Sequence, residues 1–267
     1  MTVTSLLAAL FFAAVLMSAA MRVAAWIDSR TGHSGWIDVV WTFGLGTTGA
    51  IGALLPFGDG PLARRLFVAA LAAAWALRLG LHIAGRTRGV GEDPRYARMK
   101  REWGAEAPVR LARLLQIQAL ASIPLALGIV LAAHNPGAPG QVQDVVGLAI
   151  FAAGLIGGGL ADRQLRAFSQ SCQGGVCDRG LWAYSRHPNY FFEAVLWTAY
   201  AVIASSLSYP LGYLAWLAPA AITLLLVKIS GIPPLEQHML GKHGAAYRAY
   251  QRRTSAFVPL PPRGARP

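Results

Sequence analysis

Charge is scarce in this chain. Only 13% of its 267 residues are charged and 55% are hydrophobic, whereas soluble domains carry about 25% charged residues. Its mean hydropathy of +0.43 points the same way. The deficit argues against an ordinary soluble protein and predicts a polytopic membrane protein.

Cysteine is almost absent as well. Cys172 and Cys177 lie five residues apart in one polar loop. A metal site needs about four ligands, and no second Cys or His pair with suitable spacing is found. We therefore expect no metal and interpret both as ordinary thiols. The glycine fingerprint of Rossmann domains is also missing, so any dinucleotide would bind in an unrelated way.

Acidic residues are few, 12 against 24 basic ones, which gives a net charge of +12. Nucleic-acid binding is one interpretation of such an excess. A better one is that the basic residues lie in loops on one side of a bilayer. We expect membrane lipid and a phosphorylated ligand as partners, and no nucleic acid.

Long apolar runs are what the chain does have. A helix needs about 20 mostly apolar residues to cross a bilayer. The first run lacks a basic segment before it and is followed by further runs, so it is predicted to be the first helix and not a cleaved signal. The chain is predicted to be one all-α integral membrane domain, 1–267. Its seven predicted spans are 3–26, 36–56, 65–85, 114–133, 143–161, 189–206 and 209–229.

The distribution of basic residues predicts the orientation. Loop 86–113 holds eight Arg and Lys, and loop 134–142 holds none. The positive-inside rule places the first loop in the cytosol, with the N-terminus outside and the C-terminus inside. We expect a bacterial inner-membrane protein. Loops 86–113 and 162–188 and the tail 230–267 would form a cofactor site on the cytosolic side.

Several ionisable residues fall within the predicted spans, all in the cytosolic half. Arg22 and Lys228 are explained by snorkelling of helix-end charges. Asp38, Arg78 and Glu193 are harder to dismiss, because such groups are costly in a bilayer. They predict a polar cavity that opens to the cytosol. A transporter is disfavoured, because its ionisable groups would lie near the midplane.

Two basic clusters are candidate phosphate sites. In segment 86–96, Arg side chains alternate with Gly and Pro, and guanidinium groups fork onto phosphate oxygens. The alternative is a routine positive-inside loop. Arg163 and Arg166 are at i and i+3, on one helix face, and can hold a phosphate between them. A basic pair at the membrane edge explains them equally well.

Segment 179–193 gathers polar side chains directly before an apolar run. Pro188 suits a helix start, where its missing N–H costs nothing. Asn189 and Glu193 follow at i and i+4, so they share a face. An amide beside a carboxylate can recognise another amide, such as a nicotinamide carboxamide. The alternative is a helix cap with a buried structural hydrogen bond.

These residues resemble the membrane steroid 5α-reductase family, including its bacterial branch. The resemblance is strongest over about 160–260. The matching segments are Asp162-Arg-Gln-Leu-Arg166, Gly180-Leu-Trp-Ala-Tyr184, Asn189-Tyr-Phe-Phe-Glu193, Tyr247-x-x-Tyr250 and Phe257-Val-Pro259. Membrane methyltransferases of the isoprenylcysteine carboxyl type share Arg186-His-Pro-x-Tyr190. They typically continue with a Gly, where this chain has Phe191, Phe192 and Glu193.

The resemblance implies NADPH as hydride donor and an enone lipid, typically a 3-oxo-Δ4 steroid, as acceptor. The residues expected at the cofactor are Arg88, Asp93, Arg95, Tyr96, Asp162, Arg163, Arg166, Arg179, Tyr184, Arg186, His187, Asn189, Glu193, Glu236, His238, Tyr247 and Tyr250. Those expected at the substrate are Asp38, Trp41, Trp75 and Arg78.

The family polarises the 3-oxo group with an acid on span two and a Tyr on span three. Asp38 is the only acid in span two, and span three has no Tyr. Burial in an apolar pocket would favour the protonated, donating form of Asp38. His82, or a Tyr from elsewhere, is the alternative donor, and Glu193 completes the set of catalytic candidates. A methyltransferase that uses S-adenosylmethionine is the rival function. The sequence specifies no oligomeric state and is compatible with a monomer.

Overall fold

The structure is a computed structural model that describes residues 1–88, 92–171 and 174–264. Those residues form helices joined by short loops, and they contain no strand beyond two isolated bridges. The α-helices are α1 Val3–Thr31, α2 Trp36–Leu54, α3 Leu62–Thr87, α4 Pro94–Trp103, α5 Ala107–Ala121, α6 Ile123–Ala133, α7 Val142–Ser171, α8 Leu181–Tyr184, α9 Pro188–Ala204, α10 Leu217–Leu224 and α11 Ile232–Arg253.

The chain is an all-α polytopic membrane protein, as the sequence predicts. Within the described residues, six helical stretches are long and apolar enough to cross a bilayer. The predicted span 189–206 corresponds to α9, which has 17 residues. That length is at the lower limit of the range of about 17–25 residues for a spanning helix.

The predicted span 114–133 consists of two helices rather than one. It breaks at Ser122, whose N–H reaches the carbonyl groups of Gln118 and Ala119. Pro124 follows directly, and its ring removes an N–H and clashes with the preceding turn. α5 therefore ends at Ala121 and α6 begins at Ile123.

The predicted span 209–229 is also irregular. It begins as a 3₁₀ helix over Pro210–Trp216, continues as α10, and ends in a π turn over Leu225–Ile229. α7, by contrast, is longer than predicted. It continues from its predicted end at 161 to Ser171, so the basic residues after Ala161 lie on a helix.

The described chain divides into two compact units. The first comprises 1–147 and 200–218, and the second comprises 148–199 and 219–267. The predicted cytosolic loop 86–113 belongs to the first unit, where it forms α4 and the start of α5. Loop 162–188 and the tail from 230 belong to the second unit. Each unit is described by itself below.

Small residues bring the helices of each unit into close contact. In the first unit, a Cβ added at Gly46 would lie 2.2 Å from the Cβ of Ala76, so α2 and α3 touch there. In the second, a Cβ at Gly157 would lie 2.4 Å from the ring of Phe192. The glycines of α7 thus let α9 approach its backbone, as small residues do in membrane bundles.

Candidate functional site

In the second unit, the segment around α8 lies against the last turns of α7. The N–H of Leu181 donates to Oε1 of Gln164 at 2.9 Å, and Nε1 of Trp182 donates to the carbonyl of Ala161 at 3.0 Å. Gly180 makes this approach possible, since it has φ of 59° and a Cβ there would lie 2.6 Å from Gln164. The start of α8 is therefore fixed beside the basic turn of α7.

Two exposed arginines are close in the chain to these contacts. Arg179 is two residues before Leu181, and Arg163 is next to Gln164. Within the described residues, neither guanidinium has a carboxylate or hydrogen-bond partner. Arg166 is exposed one turn further along α7. The charges of Arg163 and Arg179 are thus available to an anion.

Arg186 has a different role from these arginines. Its Nε lies 2.6 Å from Oε1 of Glu236, and its Nη1 donates to the carbonyl groups of Gln251 and Thr254. Only 10% of its side chain is exposed. Arg186 ties the tail helix α11 to the start of α9, so its guanidinium is largely used inside the unit.

His187 shares the same carboxylate. Its Nε2 lies 3.1 Å from Oε1 of Glu236, and its ring stacks on Tyr190 with centroids 5.5 Å apart. The residue is 2% exposed, and Nδ1 has no hydrogen-bond partner among the described residues. A buried polar atom without a partner is costly, so Nδ1 is a candidate contact for a ligand.

The tail motif anchors the α8 segment. Oη of Tyr250 donates to the carbonyl of Trp182 at 2.5 Å, and Tyr247 packs edge-on against its ring. Both tyrosines are buried. Tyr184 is 48% exposed, and His238 is exposed on α11. The buried pair is therefore placed to support the site, and the two exposed residues are placed to contact a ligand.

Asn189 and Glu193 lie one turn apart on α9, and each has a partner of its own. Nδ2 of Asn189 donates to Oδ1 of Asp162 at 3.2 Å. Nε1 of Trp197 donates to Oε1 of Glu193 at 2.9 Å. Asp162 and Glu193 are 7% and 8% exposed. Two buried carboxyl groups and an amide thus lie at the N-terminal end of α9, and Trp197 is a partner that sequence analysis missed.

In the first unit, Asp38 is part of an ion-pair cluster. Nη2 of Arg95 lies 2.5 Å from Oδ2 of Asp38, and Nε lies 3.0 Å from Oδ1 of Asp93. The partner of Asp38 is thus a guanidinium, whereas the expectation from the sequence was an apolar pocket. The pairing also leaves Arg95 less free for a phosphate.

Asp93 shows the strength of the pairing. Burial alone would raise the pKa of Asp93, but the hydrogen bonds and the charge of Arg95 hold that pKa below its usual value. The N–H of Asp93 donates to Oγ of Ser34, and its side chain caps α4 through the N–H of Arg95. The start of α4 is thereby held against the loop directly before α2.

Tyr96 is the buried hydroxyl next to this cluster. It is 3% exposed, and the guanidinium carbon of Arg95 lies 5.6 Å from its ring centroid. Its Oη accepts from Nε2 of Gln118 at 3.3 Å. Within the described residues, the hydroxyl hydrogen has no acceptor. Tyr96, which was predicted to contact the cofactor, is thus a buried hydroxyl donor in the first unit.

A further group of polar and aromatic side chains lies around Trp41, one helical turn after Asp38 on α2. Nε1 of Trp41 donates to Oγ of Ser122 at 2.7 Å, and its ring lies edge-on to Trp75 with centroids 6.2 Å apart. Arg78 and His82 follow Trp75 by one and two turns on α3. Of the predicted substrate residues, Trp41 and Trp75 are thus in contact. Sequence analysis missed Gln118 and Ser122, although two polar residues at i and i+4 within an apolar span were a usable signal.

Arg88 ends α3 and is exposed. Cys177 is buried without a disulfide, and Cys172 lies outside the described residues. In the part of the chain that the structure describes, no group of three His, Cys, Asp or Glu side chains is placed to hold a metal ion.

Comparison with known families gives one match. Residues 25–254 match the family described as Protein of unknown function (DUF1295). No curated protein and no solved structure matches the chain.

Proposed function

The chain belongs to the DUF1295 family, and we propose that it is an NADPH-dependent reductase of an enone lipid, with a 3-oxo-Δ4 steroid as the typical substrate. The observation that carries the proposal is that Arg163 and Arg179, the first beside Gln164 and the second two residues before Leu181 in the α7–α8 contact, are exposed without carboxylate partners among the described residues. Uncompensated guanidinium groups at a docked loop suit a phosphorylated cofactor.

The other arginines narrow the choice of phosphate contacts. Arg95 and Arg186 already hold carboxylates, so binding a phosphate would require them to give up existing ion pairs. Arg88 and Arg179 are exposed and make no such pair within the described residues. We therefore assign the 2′-phosphate of NADPH to Arg179, with Arg163 on the neighbouring phosphate.

The end of α9 suits the nicotinamide. The nicotinamide carboxamide offers two N–H donors and one acceptor. The carboxyl groups of Asp162 and Glu193 can accept hydrogen bonds from these N–H groups. Asn189 supplies a second amide one turn away and is held in position by Asp162. When bound, the cofactor supplies the hydride that adds to the β-carbon of the enone.

The reaction also needs a donor to the carbonyl oxygen, on which negative charge develops. A preorganised donor at that position lowers the barrier. Within the first unit, the candidate for this role is Oη of Tyr96, whose hydrogen has no acceptor among the described residues and whose lone pair accepts from Gln118. Asp38 then acts by holding Arg95 against the Tyr96 ring rather than by donating a proton.

Cofactor binding is the decisive test. Detergent-purified protein is titrated with NADPH and, separately, with S-adenosylmethionine, and thermal stabilisation is measured for each. We expect stabilisation by NADPH and loss of nicotinamide absorbance when a 3-oxo-Δ4 steroid is added. Stabilisation by S-adenosylmethionine alone would favour the methyltransferase, and a response to neither would reject both.

Two substitutions connect the result to the site. Arg163→Gln and Arg179→Gln are expected to weaken NADPH binding, since each removes a charge-assisted bond. Arg252 is an exposed arginine of the same unit that was not predicted to contact the cofactor, so Arg252→Gln is the matched control. If all three variants bound NADPH like the wild type, the assignment of the basic surface would be wrong.

A further inference from the structure

A groove of about 690 Å³ runs along the outside of α5 in the first unit. Its polar lining consists of the guanidinium group of Arg113 and the side-chain amide of Gln116, and the rest of its lining is apolar. The lining residues are Pro108, Val109, Ala112, Arg113, Gln116 and Ile117. Val109 and Ile117 are 56% and 62% exposed, so the structure leaves the apolar wall uncovered.

The groove lies where α5 packs on α1. Oγ of Ser18 donates to Oε1 of Gln116 at 2.6 Å, which fixes the register of the two helices. The C-terminal end of α1 is at the α4 end of α5, because Nζ of Lys100 contacts Oδ1 of Asp28 at 2.7 Å. The two helices therefore run in opposite directions along the groove.

This register places two arginines at one level. Arg22 is one turn beyond Ser18 on the same face of α1, and Arg113 is one turn before Gln116 on α5. Because α1 and α5 run in opposite directions, Arg22 and Arg113 are displaced from the Ser18–Gln116 contact towards the same end of the helix pair. Both side chains are exposed, and within the described part of the chain neither has a carboxylate partner.

The neighbouring arginine is different. Nη2 of Arg110 lies 2.6 Å from Oε2 of Glu106, so its charge is compensated on the same helix. Of the arginines near the groove, Arg22 and Arg113 are the ones whose charge remains uncompensated. Their level is the start of the apolar run of α5 and α6, which is the depth at which lipid headgroups lie.

We propose that this groove is a binding site for an anionic phospholipid. The phosphate lies between the guanidinium groups of Arg22 and Arg113, and one acyl chain lies along Val109, Ala112 and Ile117. Charge complementarity selects the lipid class. A zwitterionic headgroup carries its own cation beside the phosphate, whereas an anionic headgroup leaves the phosphate to the protein. Snorkelling explains a single arginine at a helix end. It does not explain why two arginines lie beside an uncovered apolar groove.

The site is independent of the reductase proposed above, since no cofactor or substrate residue lines it. It also differs from a general basic surface, which would attract anionic lipid without a groove. The groove makes the acyl chain part of the recognition, and this part can be tested separately from the charge.

The test is native mass spectrometry of the detergent-purified full chain with phosphatidylglycerol or phosphatidylcholine added at equal concentration. We expect the wild type to retain phosphatidylglycerol preferentially. Arg22→Gln and Arg113→Gln should each lower that preference about fivefold, which corresponds to about 1 kcal/mol per basic residue near a membrane surface. Arg110→Gln is the matched control, because its charge is already paired, and it should leave the preference unchanged.

A second variant tests the groove. Ala112→Phe fills the apolar wall and keeps both arginines, so it should lower lipid retention while the thermal unfolding of the lipid-free protein stays near that of the wild type. Soluble glycerol phosphate should not displace the lipid. Equal retention of both lipids by the wild type would overturn the proposal. An equal loss in Arg110→Gln, full retention in Ala112→Phe, or displacement by glycerol phosphate would do the same.

Discussion

Arg64 and Asp144 form a two-point ion pair inside the first unit. Nη1 lies 2.5 Å from Oδ1 and Nη2 lies 2.9 Å from Oδ2, and the Arg64 side chain is fully buried. Asp144 also accepts from the N–H groups of Gly140 and Gln141, and Arg64 donates to the carbonyl of Ala138. The pair joins the starts of α3 and α7, beside the loop that has no basic residue.

We predict that Asp144→Ala strongly destabilises the protein. Removing one partner of a buried pair leaves an uncompensated charge and typically costs about 3–5 kcal/mol. The N–H groups of Gly140 and Gln141 would lose their acceptor as well. Denaturant unfolding of the purified protein in detergent micelles measures the change in the free energy of unfolding.

The control is an exposed pair of the same unit. Arg98 and Glu102 are 57% and 56% exposed at i and i+4, and such pairs contribute about 0.5 kcal/mol or less. Glu102→Ala should therefore change stability little. If Asp144→Ala were as mild as Glu102→Ala, the buried pair would not be a main support of the α3–α7 contact.

We predict an external N-terminus and a cytosolic C-terminus. Loop 86–113 holds eight Arg and Lys and loop 134–142 holds none, and the positive-inside rule makes the basic side cytosolic. A reporter that is active only in the cytosol, fused after Pro267, should be active. A reporter active only outside, fused at the same position, should be silent, and the reverse pattern would overturn the topology.

The sequence was sufficient for the class of fold because bilayer thickness requires long apolar runs. It was less reliable inside those runs. Ser122 and Pro124 break one predicted span, and the π turn at Leu225–Ile229 ends another. Apolar content alone carries no information on such breaks, since a broken helix is as hydrophobic as a straight one.

For the site, the sequence found residue types but not their partners. Arg163 and Arg166 lie on one helix and Asn189 and Glu193 on another, so each pair shares a face as i, i+3 or i, i+4 neighbours do. The bond between Arg95 and Asp38 joins residues 57 apart. Spacing cannot predict such a contact.

We predict that Tyr96→Phe lowers enone reduction by about 10²- to 10³-fold, the scale of losing one preorganised donor to a developing oxyanion. The ring and its contact with Arg95 remain, so folding and NADPH binding should be retained. Initial rates of steroid reduction, measured beside NADPH affinity, separate the two effects. Tyr213 is a 46% exposed tyrosine of the same unit, and Tyr213→Phe should reduce substrate at the normal rate.

Asp38 provides the companion result. Asp38→Leu removes the carboxylate that holds Arg95 and should slow turnover more than it weakens NADPH binding. Asp38→Asn keeps the size and a hydrogen-bond acceptor, so it should lie between Asp38→Leu and the wild type. A normal rate of 3-oxo-Δ4 steroid reduction by Asp38→Leu would show that Asp38 has no role in turnover.

We predict a preference for NADPH over NADH that depends on Arg179. The 2′-phosphate is the only difference between the two cofactors, and a charge-assisted bond to phosphate contributes about 1.5–3 kcal/mol. Arg179→Gln should therefore weaken NADPH binding at least tenfold and leave NADH binding nearly unchanged. The ratio of the two dissociation constants measures this. An unchanged ratio would transfer the role to another arginine, with Arg88 tested next.

Glu193→Gln is expected to leave the protein folded and to impair hydride transfer. The carboxylate of Glu193 is buried and accepts from Nε1 of Trp197. The amide of Gln fills the same volume, and its oxygen can accept the same hydrogen bond, so the contact with Trp197 survives. The second carboxylate oxygen of Glu193 is replaced by an NH₂ group, which is a donor. The N–H groups of the nicotinamide carboxamide would then meet a donor where the wild type offers them an acceptor.

The nicotinamide would then bind in a displaced orientation, and a misplaced reacting group costs about 10²-fold in rate. Single-turnover hydride transfer at saturating NADPH measures this step apart from cofactor binding, and the melting temperature in detergent verifies the fold. Glu193→Ala, which also breaks the bond to Trp197, should lower both. A folded Glu193→Gln protein that binds NADPH and transfers hydride at the wild-type rate would exclude the end of α9 from the nicotinamide site, and the methyltransferase would again be the leading alternative.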